Sequence, residues 1–600
     1  MQNAETVLSI LKQKSEHDEQ YVFERIYRNL FNEDFFIRAY QKIHAKEGNM
    51  TPGVDDNTID GFSKKKISQL IELLKLERYQ PKPVRRTYIP KKNGKMRPLG
   101  IPTFTDKLVQ EVVRQLLEAI YEPIFCDTSH GFRPNKSCHT ALYQVKSTCR
   151  GTNWVIEGDI TACFENVDHD ILIGILSKKI QDGRMLELIR RFLKAGYFEF
   201  KEKHNSLSGT PQGGIISPVL ANIYLHEFDK YMEKLAEIYS KGKQKRVNPD
   251  YHSFNTKRWK ANKKGDSETA ERLLKQMQSK HALDPMDENF IRVKYVRYAD
   301  DFLVCIVGSK KLAREIKEKI AGFMEQNLHL ELSAEKTSIT NLAENRVRFL
   351  GYEISKSHCD TKLTKDTIGR KKRSVNGSIQ LLVPGQVIRD KLKPFKKNGK
   401  PYPFVARNNY PVMDIISMYN AEIRGLYNYY CLATDVSTKI ATFKYYHYYS
   451  MLKTIARKEK STVGKVYKKY GVEVPRKLGK GTRRIVGIRY ETKAGMKTMT
   501  YFNDSLKKVD KPLTDVSDTY GQPFAGGQLI KRINADTCEL CGIETKDTEV
   551  HHVRKLKDIL QKYRKHGKTA PNWVIVMGTI KRKTLVVCHD CHMKIHTGKL

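Results

Sequence analysis

The sequence predicts an α+β protein of several domains. Its 600 residues are too many for one hydrophobic core, so three or more domains are expected. Residues 86–360 mix short apolar strands with helical periodicity, whereas the flanking segments are mostly helical. Cys and His residues cluster near the end of the sequence and predict a small metal-binding domain there. A hydrophobic content of 40% argues against a disordered chain.

Charge is the most unusual feature of the composition. The 108 Lys+Arg residues outnumber the 67 Asp+Glu residues and give a net charge of +41, which favours binding to polyanions. A generically basic protein is the alternative, but the charge is unevenly placed. Residues 361–480 hold 26 Lys+Arg against 7 Asp+Glu, a net charge of +19, together with 12 of the 31 Tyr. This mixture suits phosphate contacts and base stacking, although a helical bundle with a tyrosine core would show the same pattern.

The patterns divide the chain into five regions. They are an N-terminal extension (1–85), an α/β region (86–360) with a polar insertion at about 240–292, a basic helical region (361–480), a linker or DNA-binding region (481–530) and a Cys/His domain (531–600). No apolar stretch is long enough to span a bilayer, and no signal peptide is recognisable. Seven of the 11 Cys are scattered and four form two Cys-x-x-Cys pairs, which indicates metal ligands and a reducing compartment, the cytoplasm.

Two separate segments carry acidic side chains at the ends of predicted strands. Asp300 and Asp301 lie between the β-prone runs 293–297 and 302–307, so they are expected at the tip of a hairpin. Asp159 ends the apolar strand 154–159. Adjacent carboxylates repel one another unless cations neutralise them, and Mg²⁺ prefers oxygen ligands. If Asp159 faces Asp300, the acids can hold two Mg²⁺ ions beside a reacting phosphate.

A glycine-rich loop lies between these two acid-bearing segments. It runs from Ser208 through Gln212, Gly213 and Gly214 to Ser217-Pro218, which predicts a helix with Ser217 as its N-cap. Apolar residues then recur at helical spacing from Val219 to Leu235. The glycines would allow the backbone to approach a nucleic-acid strand closely.

These motifs resemble those of the group II intron-encoded reverse transcriptases over nearly the whole chain. The likeness includes the family's fingers motif at 85–102, the motif that follows it at 130–137, and the N-terminal extension at 50–55. It continues downstream at 330–337 and 348–352. The resemblance implies a right-hand polymerase with a ferredoxin-like palm, in which Asp159, Asp300 and Asp301 are catalytic. It also implies that Asp159, Asp300 and the backbone of Ile160 bind the metals.

The same resemblance assigns the residues around the nucleotide. Lys91 and Arg97 would grip the triphosphate of a dNTP, and Gln212 would lie beside the nucleotide. Phe164 stands five residues after Asp159, where its ring would collide with a ribose 2′-hydroxyl and so select dNTPs. In related polymerases a basic residue near Lys336 protonates the leaving pyrophosphate.

Residues 410–430 are similar to the maturase domain of the same family, where an extended thumb helps intron RNA to fold and splice. On this likeness the RNA-binding residues are Arg424, Tyr427, Asn428 and Tyr430. The physical argument is independent but less specific, because it rests on the basic, Tyr-rich and helical character of the region.

The terminal domain carries two sets of candidate metal ligands. Cys538, Cys541, Cys588 and Cys591 have the paired spacing of a structural Zn²⁺ site. His592 and His596 lie one helical turn apart, so that they can share a metal ion. A zinc-ribbon DNA-binding module with additional histidines is the alternative interpretation.

The arrangement of these ligands resembles the HNH nucleases. The likeness makes one histidine of the 551/552 pair the general base and the other a ligand of a catalytic divalent ion, with Mg²⁺ favoured. We take His552 as the base and His551, His592 and His596 as ligands. Lys583 stands where many such nucleases have Asn, and Asn572 lies too far upstream to replace it.

Taken together, the resemblance implies a multifunctional protein of an intron ribonucleoprotein. It would nick target DNA, copy intron RNA from the exposed 3′ end with dNTPs, and assist splicing as a maturase. Its partners would be group II intron RNA and target DNA, a homodimer is left open, and a nucleoid-associated complex in a bacterial cytoplasm is favoured. The alternatives are a retron-type or defence-type reverse transcriptase and a splicing chaperone with an inactive polymerase. The intact acids Asp159, Asp300 and Asp301 argue against the chaperone.

Overall fold

The computed structural model describes most of the chain. Outside the described part are residues 1, 47, 91–93, 95, 200–201, 205–212, 285–286, 360–361, 363, 366–368, 370, 373–374, 477–480, 493–494, 513–527 and 566–569. The described residues form helices and strands in mixed order, as the α+β prediction requires. Among the helices in these described ranges, none has both the length and the apolar character needed to cross a bilayer.

The N-terminal region is mainly helical and packs against the core of the central sheet. Its elements are α1 (Ala4–His17), α2 (Glu33–His44), β1 (Phe62–Ser63) and α3 (Lys64–Lys75). Asn32 caps α2, and the apolar face of this helix buries Phe35, Phe36 and Tyr40. Their burial joins the extension to the same hydrophobic core as the central sheet.

The second region spans residues 84–356 and holds the central sheet. Its first elements are β2 (Val84–Pro90), β3 (Met96–Ile101), α4 (Phe104–Tyr121), α5 (Cys138–Thr148), β4 (Trp154–Asp159), α6 (His169–Ser177), α7 (Gly183–Lys194), β5 (Tyr197–Glu199), β6 (Glu202–His204) and α8 (Ser217–Tyr239). The chain continues through α9 (Pro249–Lys263), α10 (Ser267–Gln278), β7 (Arg292–Tyr298), β8 (Asp301–Val307), α11 (Lys310–Leu328), β9 (Ser338–Asn341), β10 (Val347–Phe349) and β11 (Tyr352–Lys356).

The central sheet has the strand order β7-β8-β4-β9, and each neighbouring pair is antiparallel. Gly158 permits close packing inside it, because a Cβ at this position would lie 2.1 Å from the Phe302 ring. Helices α8 and α11 pack on the sheet, and α8 buries the predicted apolar residues from Val219 to Leu235 except Tyr231, which is half-buried. The predicted hairpin strands and the predicted strand 154–159 are confirmed.

The start of helix α8 and the fold of the polar insertion differ in detail from the sequence prediction. Helix α8 already includes Ser217 and has Ile216 as its N-cap, so the prediction that Ser217 is the cap was wrong by one residue. The polar insertion forms the helical hairpin α9–α10, which has its own small cluster of Ala261, Ala270 and Leu273. Because few side chains of the hairpin are buried, apolar residues recur only weakly in its sequence.

The third region follows from residue 364. Its elements are β12 (Thr364–Lys365), β13 (Lys371–Lys372), β14 (Ile379–Leu382), α12 (Gly385–Leu392), β15 (Lys396–Lys397), β16 (Lys400–Pro401), α13 (Val412–Tyr430), α14 (Val436–Lys458), α15 (Val463–Tyr470), β17 (Gly471–Pro475), β18 (Thr482–Thr492) and β19 (Gly495–Thr500). The sheet β17-β18-β19 packs on the helices through Ile485, Val486 and Tyr501. Strands β18 and β19 therefore differ from the predicted linker, because their sheet packs on this helical core.

The terminal region begins at residue 528. Its elements are α16 (Gln528–Ile533), β20 (Thr548–His552), α17 (Leu556–Lys565), α18 (Asn572–Thr579), β21 (Thr584–Cys588) and α19 (His589–Thr597). Strands β20 and β21 pair antiparallel, and β1 of the N-terminal region adds a third strand beside β20. The terminal region is thus attached to the N-terminal extension by backbone hydrogen bonds, which the sequence did not predict.

Candidate polymerase and nuclease sites

The acidic side chains from the two predicted strand ends meet in the structure. Asp159 and Asp301 face each other as direct partners across the antiparallel pair β4–β8. Asp300 occupies the tip of the β7–β8 hairpin next to Ala299, whose φ of 56° provides the tight turn. Ile160 follows Asp159 and is buried, forming an isolated bridge with Leu332. The hairpin tip and the end of β4 therefore build one carboxylate cluster.

Electrostatics within this cluster favour a cation. Burial raises the pKa of Asp300. Burial, together with the charges of Asp300 and Asp159, raises the pKa of Asp301 to about 7. The ammonium of Lys336 lies 2.7 Å from Asp159 Oδ2, and this hydrogen bond raises the pKa of Lys336. Three oxygen-donor side chains that repel one another and attract an ammonium group fit the ligand chemistry of Mg²⁺.

A buried ion pair supports the acidic hairpin from behind. The guanidinium of Arg297 and the carboxylate of Asp229 on α8 are both fully buried and lie 2.5 Å apart. The Arg297 side chain also donates to Ser129 Oγ and to the carbonyl of Ala299. Gly131 packs against the turn, since a Cβ there would lie 2.3 Å from the Ala299 nitrogen. These supporting residues were missed because nothing in the sequence pairs them.

The predicted nucleotide-side residues are only partly within the described ranges. Arg97 lies on β3, and its charge lowers the pKa of Asp300 in opposition to burial. The rings of Phe164 and Phe132 meet edge to face at 6.2 Å. Gly213 has a φ of +113° and packs on Gly100, so the chain approaches β3 closely at this residue. Lys91 and Gln212 lie outside the described residues.

The four predicted RNA-binding residues lie on or near the end of α13 but differ in exposure. Arg424 and Asn428 are exposed and Tyr427 is half-buried, with its hydroxyl donating to the carbonyl of Lys507. Tyr430 is only 5% exposed, and its hydroxyl donates to the carbonyl of Gly351. The prediction that Tyr430 contacts RNA is therefore corrected, because its ring packs in the core.

The terminal cysteines meet as the zinc spacing predicted. The sulfur atoms of Cys538, Cys541, Cys588 and Cys591 all lie within 4.8 Å of one another. Burial alone would raise the pKa of Cys538, but backbone N–H groups of Cys541, Cys588 and Leu540 lower it to about 7. Four close sulfur donors, one of them stabilised as a thiolate, fit a structural Zn²⁺ ion.

A second cluster brings together three histidines and one unexpected carboxylate. His551, His592 and His596 offer ring nitrogens within 4.8 Å of one another and of a carboxylate oxygen of Asp60, which lies in the N-terminal region. Burial alone would lower the pKa of His592, but Asp60 and Glu549 raise it. Glu549 Oε2 lies 2.5 Å from His592 Nδ1, the position from which a carboxylate orients a metal-binding imidazole.

His552 points away from this cluster, because neighbouring side chains of a strand alternate between its faces. Its Nε2 lies 2.7 Å from the hydroxyl of Tyr40, and burial lowers its pKa to about 3. It borders a cleft of about 660 Å³ between the N-terminal and terminal regions. The cationic residues that line this cleft are Lys46, Arg554, Lys555, Arg582 and Lys583. At neutral pH this buried imidazole is therefore uncharged and lies beside a basic cleft.

The carboxylate cluster on the central sheet and the metal-ligand clusters at the end of the chain define a polymerase joined to a metal-dependent nuclease. Three families match the corresponding segments. The family described as reverse transcriptase (RNA-dependent DNA polymerase) matches residues 89–244 and 269–354. Type II intron maturase matches residues 378–520, and AI2M/AI1M-like HNH endonuclease matches residues 538–592.

The chain belongs to the group II intron-encoded proteins. It is 41% identical to the group II intron-encoded protein LtrA of Lactococcus lactis subsp. cremoris over 616 aligned residues, which cover 98% of each chain. The 91 kDa protein in the cob intron of Schizosaccharomyces pombe is 35% identical over 100% of this chain and 73% of its own length. A telomerase structure from Candida albicans is 12% identical, with a TM-score of 0.35 over 65% of this chain and 56% of that chain.

Proposed function

We propose that the chain nicks target DNA with its terminal domain and copies intron RNA from the exposed 3′ end. Family membership establishes a multifunctional protein with reverse transcriptase, maturase and HNH endonuclease domains. The proposal adds the order of the reactions, the residues that carry them and their substrates. Its main support is the direct pairing of Asp159 with Asp301 beside Asp300 at the hairpin tip.

In the polymerase, Asp159, Asp300 and the backbone of Ile160 would hold two Mg²⁺ ions, and Asp301 would complete the acidic cluster. Bound Mg²⁺ would activate the primer 3′-hydroxyl and stabilise the leaving pyrophosphate. The order of the central strands, with helices between them, supports a ferredoxin-like palm. Lys336 is near enough to Asp159 to deliver a proton to the leaving group.

The nucleotide would be held from the fingers side of the cluster. Arg97, whose charge acts on Asp300, is suited to the triphosphate, and Lys91 and Gln212 are proposed on the family motif alone. Phe164 would exclude the 2′-hydroxyl of ribonucleotides. Its ring is backed by Phe132, a contact that would hold it in one orientation.

Primer extension on an RNA template tests the polymerase assignment. Asp301→Asn should lower the rate at least about 100-fold, because the loss of one catalytic carboxylate weakens the acidic cluster that stabilises the transition state by several kcal/mol. Asp170→Asn is the matched control, since Asp170 pairs with Arg190 at an exposed position. Full activity of Asp301→Asn would reject the role of this carboxylate, whereas no primer extension by the unmodified chain would favour a splicing factor with an inactive polymerase.

The nuclease assignment rests on the His cluster and the basic cleft. We infer that His552 is the general base, that the cleft receives the phosphates of target DNA, and that the four Cys hold Zn²⁺. His552→Ala should lower strand nicking about 10²- to 10⁴-fold while the zinc content stays unchanged. His329→Ala is the control, because His329 pairs with Asp168 at an exposed site in the polymerase region. Undiminished nicking by His552→Ala would exclude this residue as the base.

Intron RNA is the proposed ligand of the basic third region. Arg424 and Asn428 at the exposed face of α13 support it, as do the exposed rings of Tyr445 and Tyr449 on α14. Tyr445 and Tyr449 lie one helical turn apart, with ring centroids 5.0 Å from each other. They offer a surface on which unpaired bases can stack.

A further inference from the structure

The His cluster of the terminal region includes a side chain from the opposite end of the chain. Asp60 precedes His592 by 532 positions, yet its carboxylate lies among the imidazoles of His551, His592 and His596. We propose that Asp60 is a ligand of the nuclease cation, so that the N-terminal region completes the metal site. This inference rests on the proposed nuclease function. It adds to the metal site a ligand that comes from outside the terminal domain.

Both carboxylate oxygens of Asp60 face ring nitrogens. Oδ2 lies 2.8 Å from His596 Nε2, and Oδ1 lies 3.4 Å from both His551 Nδ1 and His592 Nε2. Three imidazoles and one carboxylate form a set of N and O donors that suits Mn²⁺ and other first-row divalent ions. Small shifts of these side chains would bring the four donors to coordination distance of one ion.

His551 supplies an independent indication of a missing ligand. The residue is 4% exposed; its Nε2 has no hydrogen-bond partner within the described part of the chain, and its Nδ1 faces only the Asp60 carboxylate at 3.4 Å, outside hydrogen-bond geometry. A buried imidazole with so little compensation is costly, because desolvation of its polar atoms is not repaid. A cation bound between His551 and Asp60 would satisfy the nitrogen that faces the carboxylate.

The position of Asp60 is fixed by backbone pairing. Strand β1 pairs antiparallel with β20, so that Phe62 faces Val550. The Gly61 N–H donates to the carbonyl of Val550, and the His552 N–H donates to Asp60 Oδ1 at 2.6 Å. These contacts anchor both sides of the loop that carries Asp60 and direct its carboxylate into the cluster.

The packing around this strand pair is equally specific. The ring of Tyr40 on α2 stacks on Phe62 with centroids 3.6 Å apart, and its hydroxyl contacts His552. Gly61 has a φ of +71°, and a Cβ there would lie 3.2 Å from His592 Cε1. A larger residue at this turn would therefore press on a metal ligand. The N-terminal region thus contacts both the proposed cation site and the proposed base.

The functional consequence is a coupling between the two ends of the chain. The cation would bind tightly only while the terminal region is docked on the N-terminal region, and docking would in turn be stabilised by the cation. Nicking would then be restricted to chains in which the nuclease is assembled on the polymerase that extends the nicked end.

Mn²⁺ binding, followed by electron paramagnetic resonance, tests this proposal in the full-length chain. A background with Asp159→Asn, Asp300→Asn and Asp301→Asn removes the polymerase carboxylates from the measurement. In this background Asp60→Asn, which keeps the size and the Oδ1 acceptor, should weaken Mn²⁺ binding about tenfold or more. Asp56→Asn is the matched control: it removes the same charge from the same loop, at a residue whose side chain is exposed. His592→Ala serves as the reference for a lost site.

Nicking is measured in parallel with the native polymerase acids, and zinc content together with primer extension verifies that Asp60→Asn is folded. The proposal expects weaker Mn²⁺ binding and slower nicking for Asp60→Asn, with Asp56→Asn unchanged. Loss of the site in His592→Ala but not in Asp60→Asn would overturn the proposal and leave the nuclease function intact. Tighter binding in Asp60→Asn would also overturn it, since Asp60 would then compete with the ion. No Mn²⁺ site and no nicking in the unmodified chain would reject the nuclease function itself.

Discussion

At the scale of single residues, the polymerase acids depend on partners that hold their turn. The fully buried pair Arg297–Asp229 stands behind the hairpin, and Arg297 also reaches the carbonyl of Ala299. Removing one member would leave an uncompensated buried charge, which costs about 3–5 kcal/mol. The geometry of Asp300 and Asp301 is therefore protected by residues that never touch the substrate.

The nucleotide gate leads to a prediction about sugar discrimination. Phe164→Ala should lower the preference for dNTPs over rNTPs about tenfold or more, because the ring that would collide with the 2′-hydroxyl is removed. The measurement is the ratio of kcat/KM values for dNTPs and rNTPs in primer extension. Phe164→Tyr keeps the ring and should retain the preference. An unchanged ratio in Phe164→Ala would show that another residue discriminates between the sugars.

At the scale of elements, α13 and α14 have a tyrosine core and a separate tyrosine surface. Tyr419 is fully buried, with its hydroxyl near Ser450 and Thr454, whereas the side chains of Tyr445 and Tyr449 are 55% and 40% exposed. The core interpretation of the Tyr-rich sequence thus holds for Tyr419, and base stacking remains a proposal for Tyr445 and Tyr449.

The exposed pair leads to a prediction about RNA binding. The double substitution Tyr445→Ala and Tyr449→Ala should weaken binding of intron RNA, since each base stack that is removed contributes about 1–3 kcal/mol. Filter binding at fixed salt measures the change in Kd. The corresponding Phe substitutions keep the rings and should preserve affinity. Equal affinities of all variants would place the RNA on another surface.

The cysteine cluster leads to a prediction about metal content. Cys541→Ser should abolish stoichiometric zinc binding and DNA nicking. Primer extension should persist, because all four zinc ligands lie in the terminal region and the polymerase acids do not. Zinc is measured by atomic emission on the purified chain. Cys359→Ser is the control, since Cys359 lies outside the cluster. Retention of one zinc ion by Cys541→Ser would contradict a four-cysteine site.

Some parts of the fold and of the sites follow from local sequence patterns, and others do not. The hairpin, the strand before Asp159 and the Cys pairs follow from short-range patterns, and the structure contains them. The burial of Tyr430 depends on contacts with Tyr352 and Gly351, which no local pattern encodes. Strands β18 and β19 fall in the predicted linker because apolar residues are few in this part of the sequence, and the buried ones, Ile485 and Val486, pack in the same core as α13 and α14.

At the scale of the whole molecule, the N-terminal extension connects the polymerase to the nuclease. Its helix α2 packs in the main core, while β1 extends the terminal sheet and Lys64 pairs with Asp536. Asp60 enters the His cluster through this docking. No sequence pattern could single out Asp60, because an acidic residue in a polar turn is ordinary until its distant partners are known. Long-range docking is therefore what the sequence leaves undetermined.

The net charge of +41 leads to a prediction for the complete chain. Binding of intron RNA should weaken steeply with salt, because each phosphate contact releases counterions. For about 6–10 such contacts the affinity should fall about 10³- to 10⁵-fold between roughly 50 and 200 mM salt. Equilibrium binding at several salt concentrations gives the slope of log K against log salt.

The basic third region should contribute to that slope through its exposed lysines. Lys397→Ala and Lys400→Ala should together reduce the magnitude of the slope by about 0.7–0.9 for each phosphate that the chain no longer neutralises. Both lysines are exposed on the β15–β16 hairpin, and the ammonium of Lys397 lies over the exposed ring of Tyr402. Lys275→Ala is the matched control, because Lys275 is exposed on the insertion helix α10 and pairs with Glu271. A nearly flat salt dependence of the unmodified chain would contradict electrostatic RNA binding. An equal slope change for Lys275→Ala would show that the net charge matters more than its placement.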